Sequence, residues 1–102
     1  MAAFIEAEEL ERLSPGKGVM ATTGNNTVAI FKADDGIHAI EAWCLHCGAS
    51  LAEGSLDGSI LACSGCDWRY DVRTGSVVGI PALRLTTFDA KLGDGKICIE
   101  DA

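Results

Sequence analysis

Two short boxes confine this chain before any strand is assigned. Cys44-Leu45-His46-Cys47-Gly48 and Cys63-Ser64-Gly65-Cys66 gather four cysteines and one histidine, with fifteen residues between Cys47 and Cys63. Thiolate and imidazole are the donors preferred by zinc, iron and iron-sulfur clusters, and two such boxes serve one metal centre only if they cap neighbouring hairpins that face each other. Any fold for this chain must bring both boxes to one place. Two ligand sets are open. Taken as two Cys-x-x-Cys pairs, Cys44, Cys47, Cys63 and Cys66 can surround one zinc or iron ion. Taken as Cys-x-His followed after sixteen residues by Cys-x-x-Cys, the set is Cys44, His46, Cys63 and Cys66, a cluster-binding pattern.

The rest of the chain reads as short strands joined by turns. Twelve glycines, two prolines and no long helical pattern point to an all-β domain, and an apolar fraction of 48% argues against disorder. Phe4-Ile5-Glu6-Ala7 can start a strand; Glu8 to Leu13 has mixed charge and suits one turn before Ser14-Pro15-Gly16. Val19 to Thr23 and Thr27 to Phe31 form a hairpin across a glycine-asparagine turn. After Asp34-Asp35-Gly36, alternation puts Ile37 and Ala39 on one face and His38 and Ile40 on the other, which makes His38 structural. Leu56-Asp57-Gly58-Ser59 turns into Ile60-Leu61-Ala62, the strand that delivers Cys63. Trp68 to Asp71 and Ser76 to Val78 flank a third hairpin with Gly75 in the left-handed conformation. Alternation over Leu83 to Phe88 and over Lys96 to Ile99, either side of Gly93-Asp94-Gly95, gives two closing strands. Cys98 then reads as a small core side chain.

The residues around the boxes narrow the scaffold. Gly48-Ala49-Ser50-Leu51 and Gly54 follow the first box; Asp67-Trp68-Arg69-Tyr70-Asp71, Thr74-Gly75 and Pro81 follow the second. From about residue 16 to residue 100 the chain resembles a Rieske ferredoxin, whose boxes read C-x-H-x-G-A-x-L-x-x-G and C-x-x-H-G-W-x-F/Y-D. The resemblance implies a small β-sandwich or barrel over residues 1–102 as one domain, with a metal-binding subdomain at about 43–82. It also implies a 2Fe-2S cluster, with Cys44 and Cys63 on the inner iron and His46 and Cys66 on the outer. Two positions depart from the pattern: Cys66 stands where the family has its second histidine, and Asp67 where it has glycine. Cys47 completes the four-cysteine set and is the alternative to His46, with one zinc or one iron as the alternative cofactor. Positions 49 and 65 hold alanine and glycine, so the extra cysteine pair of the membrane-anchored Rieske subunits has no counterpart here.

These residues fit an electron carrier better than a catalyst. Ser50, Ser55, Ser59 and Ser64 lie among glycines as loop serines with no partner base, and Gly16-Lys17-Gly18 is no phosphate loop. Fifteen acidic against eight basic side chains give a net charge of −7, which disfavours nucleic acid and anionic membrane. That charge either steers a partner with a basic surface or keeps the protein in solution. Five cysteines without an opening apolar run suggest a reduced, cytoplasmic protein, and no apolar stretch approaches the roughly 20 residues that cross a bilayer. The resemblance implies electrons passing from a flavin-dependent reductase to a terminal oxygenase or other oxidoreductase. The competing expectation is a binding module with a structural four-cysteine zinc or rubredoxin-like iron site.

Overall fold

The computed structural model describes residues 2–6, 16–23, 26–33 and 36–100. Its strands are β1 (Ala2–Glu6), β2 (Val19–Thr23), β3 (Asn26–Ala33), β4 (Gly36–Glu41), β5 (Ser55–Asp57), β6 (Ile60–Ala62), β7 (Arg69–Asp71), β8 (Ser76–Val77), β9 (Ile80–Arg84), β10 (Thr87–Gly93) and β11 (Lys96–Glu100). They form a six-stranded sheet in the order β1-β11-β10-β4-β3-β2 and a five-stranded sheet in the order β5-β6-β7-β8-β9. Every pairing is antiparallel. The larger sheet curls until its two edges, β1 and β2, approach each other. The expected all-β sandwich or barrel is therefore the fold.

The run Val28-Ala29-Ile30-Phe31 explains why two sheets are needed. All four side chains are fully buried, although neighbours in a strand point to opposite faces. Val28 and Ile30 join Ala39, Phe88, Ile97 and Ile99 in one core inside the curl. Ala29 and Phe31 join Ile40, Ala42, Leu51, Leu61, Tyr70, Val77 and Leu85 in a second core, which also contains Cys44 and Cys63. The alternation expected in β4 holds, since Ala39 faces the first core and Ile40 the second. Cys44 and Cys63, one from each box, are thus part of the packing between the sheets.

The turns follow local chemistry. Between Gly93 and Lys96 the two-residue loop Asp94-Gly95 has φ of 53° and 75°, the left-handed pair that a tight hairpin turn requires. Gly75 has φ of 81°, and a Cβ there would stand 2.3 Å from the Leu85 carbonyl, so conformation and space both demand glycine. Three expectations change. Residues 83–88 are not one strand: β9 ends at Arg84 in the small sheet and β10 starts at Thr87 in the large one, with Leu85-Thr86 crossing between them. Leu56 and Asp57, expected within the turn, pair with Leu61 and Ile60 as part of the edge strand β5, which leaves Gly58-Ser59 as the turn. Cys98 is half-buried rather than enclosed. The expected turn over residues 8–13, and the turn residues 24–25 and 34–35, lie outside the described residues.

The β7–β8 hairpin carries a small pH-sensitive brace. Arg73 donates its backbone N–H to Asp71 Oδ1 at 2.9 Å and its guanidinium to both carboxylate oxygens at 3.2 and 3.0 Å. Arg73 holds the Asp71 carboxyl below its usual range. A depressed carboxylate pKa stabilises the fold above the unfolded value of about 3.9 and loses that contribution as pH falls. Asp71→Ala should cost about 1 kcal/mol in denaturant melts at pH 7, with the difference from wild type shrinking below about pH 4. An equal difference at pH 7 and pH 3 would assign the cost to packing.

Candidate metal centre

Each box is a loop tied at its neck. The first follows β4: Trp43 bridges Ser50, the Cys44 N–H donates to the Ala49 carbonyl at 3.0 Å, and the Gly48 N–H donates to the Cys44 carbonyl at 3.0 Å. The second joins β6 to β7, where Leu61 pairs with Tyr70 and Ala62 with Arg69, and the Cys63 N–H donates to the Trp68 carbonyl at 3.0 Å. Leu51, just after the first loop, is buried and fixed through its N–H to the Ala42 carbonyl at 2.7 Å. The loops therefore come from different sheets and meet at the edge of the shared core.

There the sulfurs of Cys44, Cys47, Cys63 and Cys66 all lie within 4.8 Å of one another. The Cys44 and Cys66 sulfurs are 3.8 Å apart and those of Cys47 and Cys63 are 3.5 Å apart. None is in a disulfide. Cys44 and Cys63 are buried, Cys66 is partly exposed and Cys47 is exposed, so the group runs from core to surface. His46 takes no part in it: its imidazole stacks on the Trp68 indole, with ring centroids 4.7 Å apart and planes inclined by 17°. The structure thus joins Cys44, Cys63 and Cys66, three of the four residues expected from the cluster pattern, to the alternative residue Cys47, and places His46 beside them against the indole.

Tyr70 is the site residue that spacing alone did not single out. Fully buried, it accepts the Leu45 N–H at 3.0 Å on its hydroxyl oxygen, which stands 3.2 Å from the Cys44 sulfur. Either group can donate in that contact, and once Cys44 is a thiolate the hydroxyl is the donor. Burial works to raise the Cys44 pKa, but the Tyr70 hydroxyl and the backbone groups of Cys47 and His46 outweigh it and bring the thiol down to about 6. Cys63 goes the other way: burial, with the neighbouring Cys47 and Cys44 thiols, pushes it up to about 12. Four thiols this close cannot all ionise unless a cation balances them.

The profile of the Rieske [2Fe-2S] domain matches residues 3–89. The chain is 34% identical over 79 residues to the biphenyl dioxygenase ferredoxin subunit of Pseudomonas sp. (strain KKS102), a match covering 76% of this chain and 72% of that one. It is also 34% identical over 56 residues to the probable 3-ketosteroid-9-alpha-monooxygenase oxygenase component of Rhodococcus rhodochrous, covering 54% of this chain and only 14% of that protein. Among solved structures, a chain from the complex of reduced oxygenase and oxidized ferredoxin in carbazole 1,9a-dioxygenase superposes with a TM-score of 0.76 at 27% identity, covering 93% of this chain and 96% of the other. The centre that this similarity implies is held by two cysteines and two imidazoles. The donors present fit it at Cys44 and Cys63; at Cys66 a thiolate stands for the second imidazole.

Proposed function

Because this chain belongs to the Rieske [2Fe-2S] domain family, we propose that it is a one-electron carrier rather than an enzyme, the counterpart of the ferredoxin components it resembles. The observation that carries this reading is how the boxes are rooted. Cys44 and Cys63 stand in the core at 4% and 7% exposure, while Leu45, His46 and Cys47 face solvent. A centre held there is sheltered on one side and within reach of a partner on the other, as a carrier requires.

Family membership implies a 2Fe-2S cluster, held by Cys44 and Cys63 on one iron and by Cys66 and one first-box residue on the other, His46 in the family's pattern. The carrier role itself needs only an iron centre whose charge changes by one. A third thiolate adds negative charge and opposes the incoming electron, so the midpoint falls from the bis-histidine span of about −150 to +300 mV toward the roughly −400 mV of all-thiolate ferredoxins. Residues 1–102 form one domain in this reading, with the small sheet and both boxes, about 43–82, as its metal-binding subdomain. A terminal oxygenase or other oxidoreductase takes the electron, as supported by the similarity to a chain of an oxygenase–ferredoxin complex, and a flavin-dependent reductase supplies it. The net charge of −7 suits a basic docking surface on the partner, with no nucleic acid or membrane involved, and the cytoplasm is the compartment in which such thiols stay reduced. No helix among the described residues is long and apolar enough to cross a membrane. The second reading, a binding module with structural zinc, is favoured by the convergence of four sulfurs.

Colour and salt test the proposal. The purified protein should absorb in the visible, bleach with dithionite and pass its electron to a Rieske oxygenase component. That transfer should slow about tenfold between roughly 0.05 and 0.5 M salt, as the surface charges are screened. A colourless protein with one zinc would reject the carrier reading. A salt-independent rate would reduce the acidity to a solubility feature.

A further inference from the structure

Resting on the carrier reading, which requires a metal at the two boxes, we infer that the centre is a single metal ion held by Cys44, Cys47, Cys63 and Cys66, with His46 outside the ligand set; in the working protein that ion is iron. The inference departs from the family's two-iron cluster on three observations.

The first is the spacing of the sulfurs. Metal–sulfur bonds of about 2.3 Å in a tetrahedron put neighbouring sulfurs about 3.8 Å apart. The Cys44–Cys66 and Cys47–Cys63 pairs are at 3.8 and 3.5 Å, and no pair in the group exceeds 4.8 Å. A binuclear cluster interposes two irons and two sulfides between its ligand pairs, which drives thiolates on opposite irons apart. The observed sulfurs form one compact set. The two close contacts each join one box to the other, as a single ion shared by both loops requires.

The second observation is the fate of the histidine. Only one imidazole is offered where the cluster pattern needs two, and it lies face to face with Trp68 at 4.7 Å, outside the group of converging ligand atoms. The third is the accommodation of Cys47. A Cβ on Gly65 would stand 2.9 Å from the Ala49 Cβ and 3.0 Å from the Cys47 sulfur, so glycine in the second box leaves room for the first loop to pack close with its thiol turned inward. An exposed thiol beside a redox centre is prone to oxidation unless it is itself a ligand.

On this assignment Cys44, Cys47, Cys63 and Cys66 would hold an iron ion that supplies a one-electron iron(III)/iron(II) couple, with the electron coming from the reductase and passing on to the acceptor. No bond is made or broken, and the site becomes one charge more negative. Iron, zinc and acid-labile sulfide per chain, measured on the purified protein with Cys47→Ser and His46→Ala beside it, test the inference. We expect one metal per chain and no labile sulfide, at least about a tenfold weaker hold on the metal in Cys47→Ser, and wild-type content in His46→Ala. Two irons with two sulfides per chain overturn the inference, whichever variant loses them, and leave the carrier role standing. One zinc without iron supports the four-thiolate ligand set but overturns both its assignment to iron and the carrier role. Should Cys47→Ser fail to fold, cobalt(II) added to the metal-free wild-type and His46→Ala chains decides the ligand set. Equal tetrahedral absorption with equal thiolate-to-cobalt charge transfer supports the inference, and a loss of intensity in His46→Ala rejects it.

Discussion

Replacing Cys63 by serine is expected to abolish metal retention and to lower the melting midpoint by about 10 to 20 °C, taking roughly 4 to 8 °C for each kcal/mol in a domain of this size. Cys63 closes the neck of the second loop through its N–H to the Trp68 carbonyl at 3.0 Å and sits in the core between the sheets. A serine oxygen is a poor ligand for the metals that thiolates select, so the ion would lose a donor common to both ligand sets. The first box hangs from the large sheet and the second from the small one, so a metal held by both would cross-link the sheets. At 102 residues the cores supply a modest margin, and much of the metal's binding energy becomes folding energy. Chelator-treated wild-type protein should melt like the variant. A cooperative transition at unchanged temperature in both would reject the structural role.

The second large effect is expected at Tyr70. Phenylalanine keeps the ring in the core but removes the hydroxyl that accepts the Leu45 N–H and, with Cys44 as a metal-bound thiolate, donates to its sulfur. Leaving that N–H without its acceptor in the loop neck costs about 1 to 3 kcal/mol. The hydrogen bond to sulfur also favours the more negative, reduced state, so its loss lowers the midpoint potential. If the bond is worth about 1 kcal/mol more to the reduced state, the shift is about 40 mV, since tenfold in a one-electron equilibrium is about 59 mV or 1.4 kcal/mol. Both readouts should move in Tyr70→Phe under either ligand set. A variant that melts earlier at an unchanged potential would confine Tyr70 to packing.

Much of this could be read along the chain because its causes are local. The two boxes, the Asp94-Gly95 turn, the left-handed Gly75 and the alternation of Ile37 to Ile40 each depend on residues within a few positions of one another. Box spacing and flanks sufficed to name the scaffold, and Cys44, Cys63 and Cys66 belong to either ligand set that the sequence left open. What the sequence left undecided depended on contacts between distant segments. Alternation over residues 83–88 is the same in one strand as in two, and only the packing of Leu85 between the sheets breaks it there. Tyr70 gains its role because β7 carries it to a sulfur 26 residues away. The placement of His46 and Cys47 is of the same kind: adjacent in sequence, they differ in whether the chain around Gly65 and Trp68 meets a sulfur or an imidazole. Here the sulfur reaches over Gly65 and the imidazole lies on the indole, a partition that side-chain packing between two loops sets and no spacing of residues can encode.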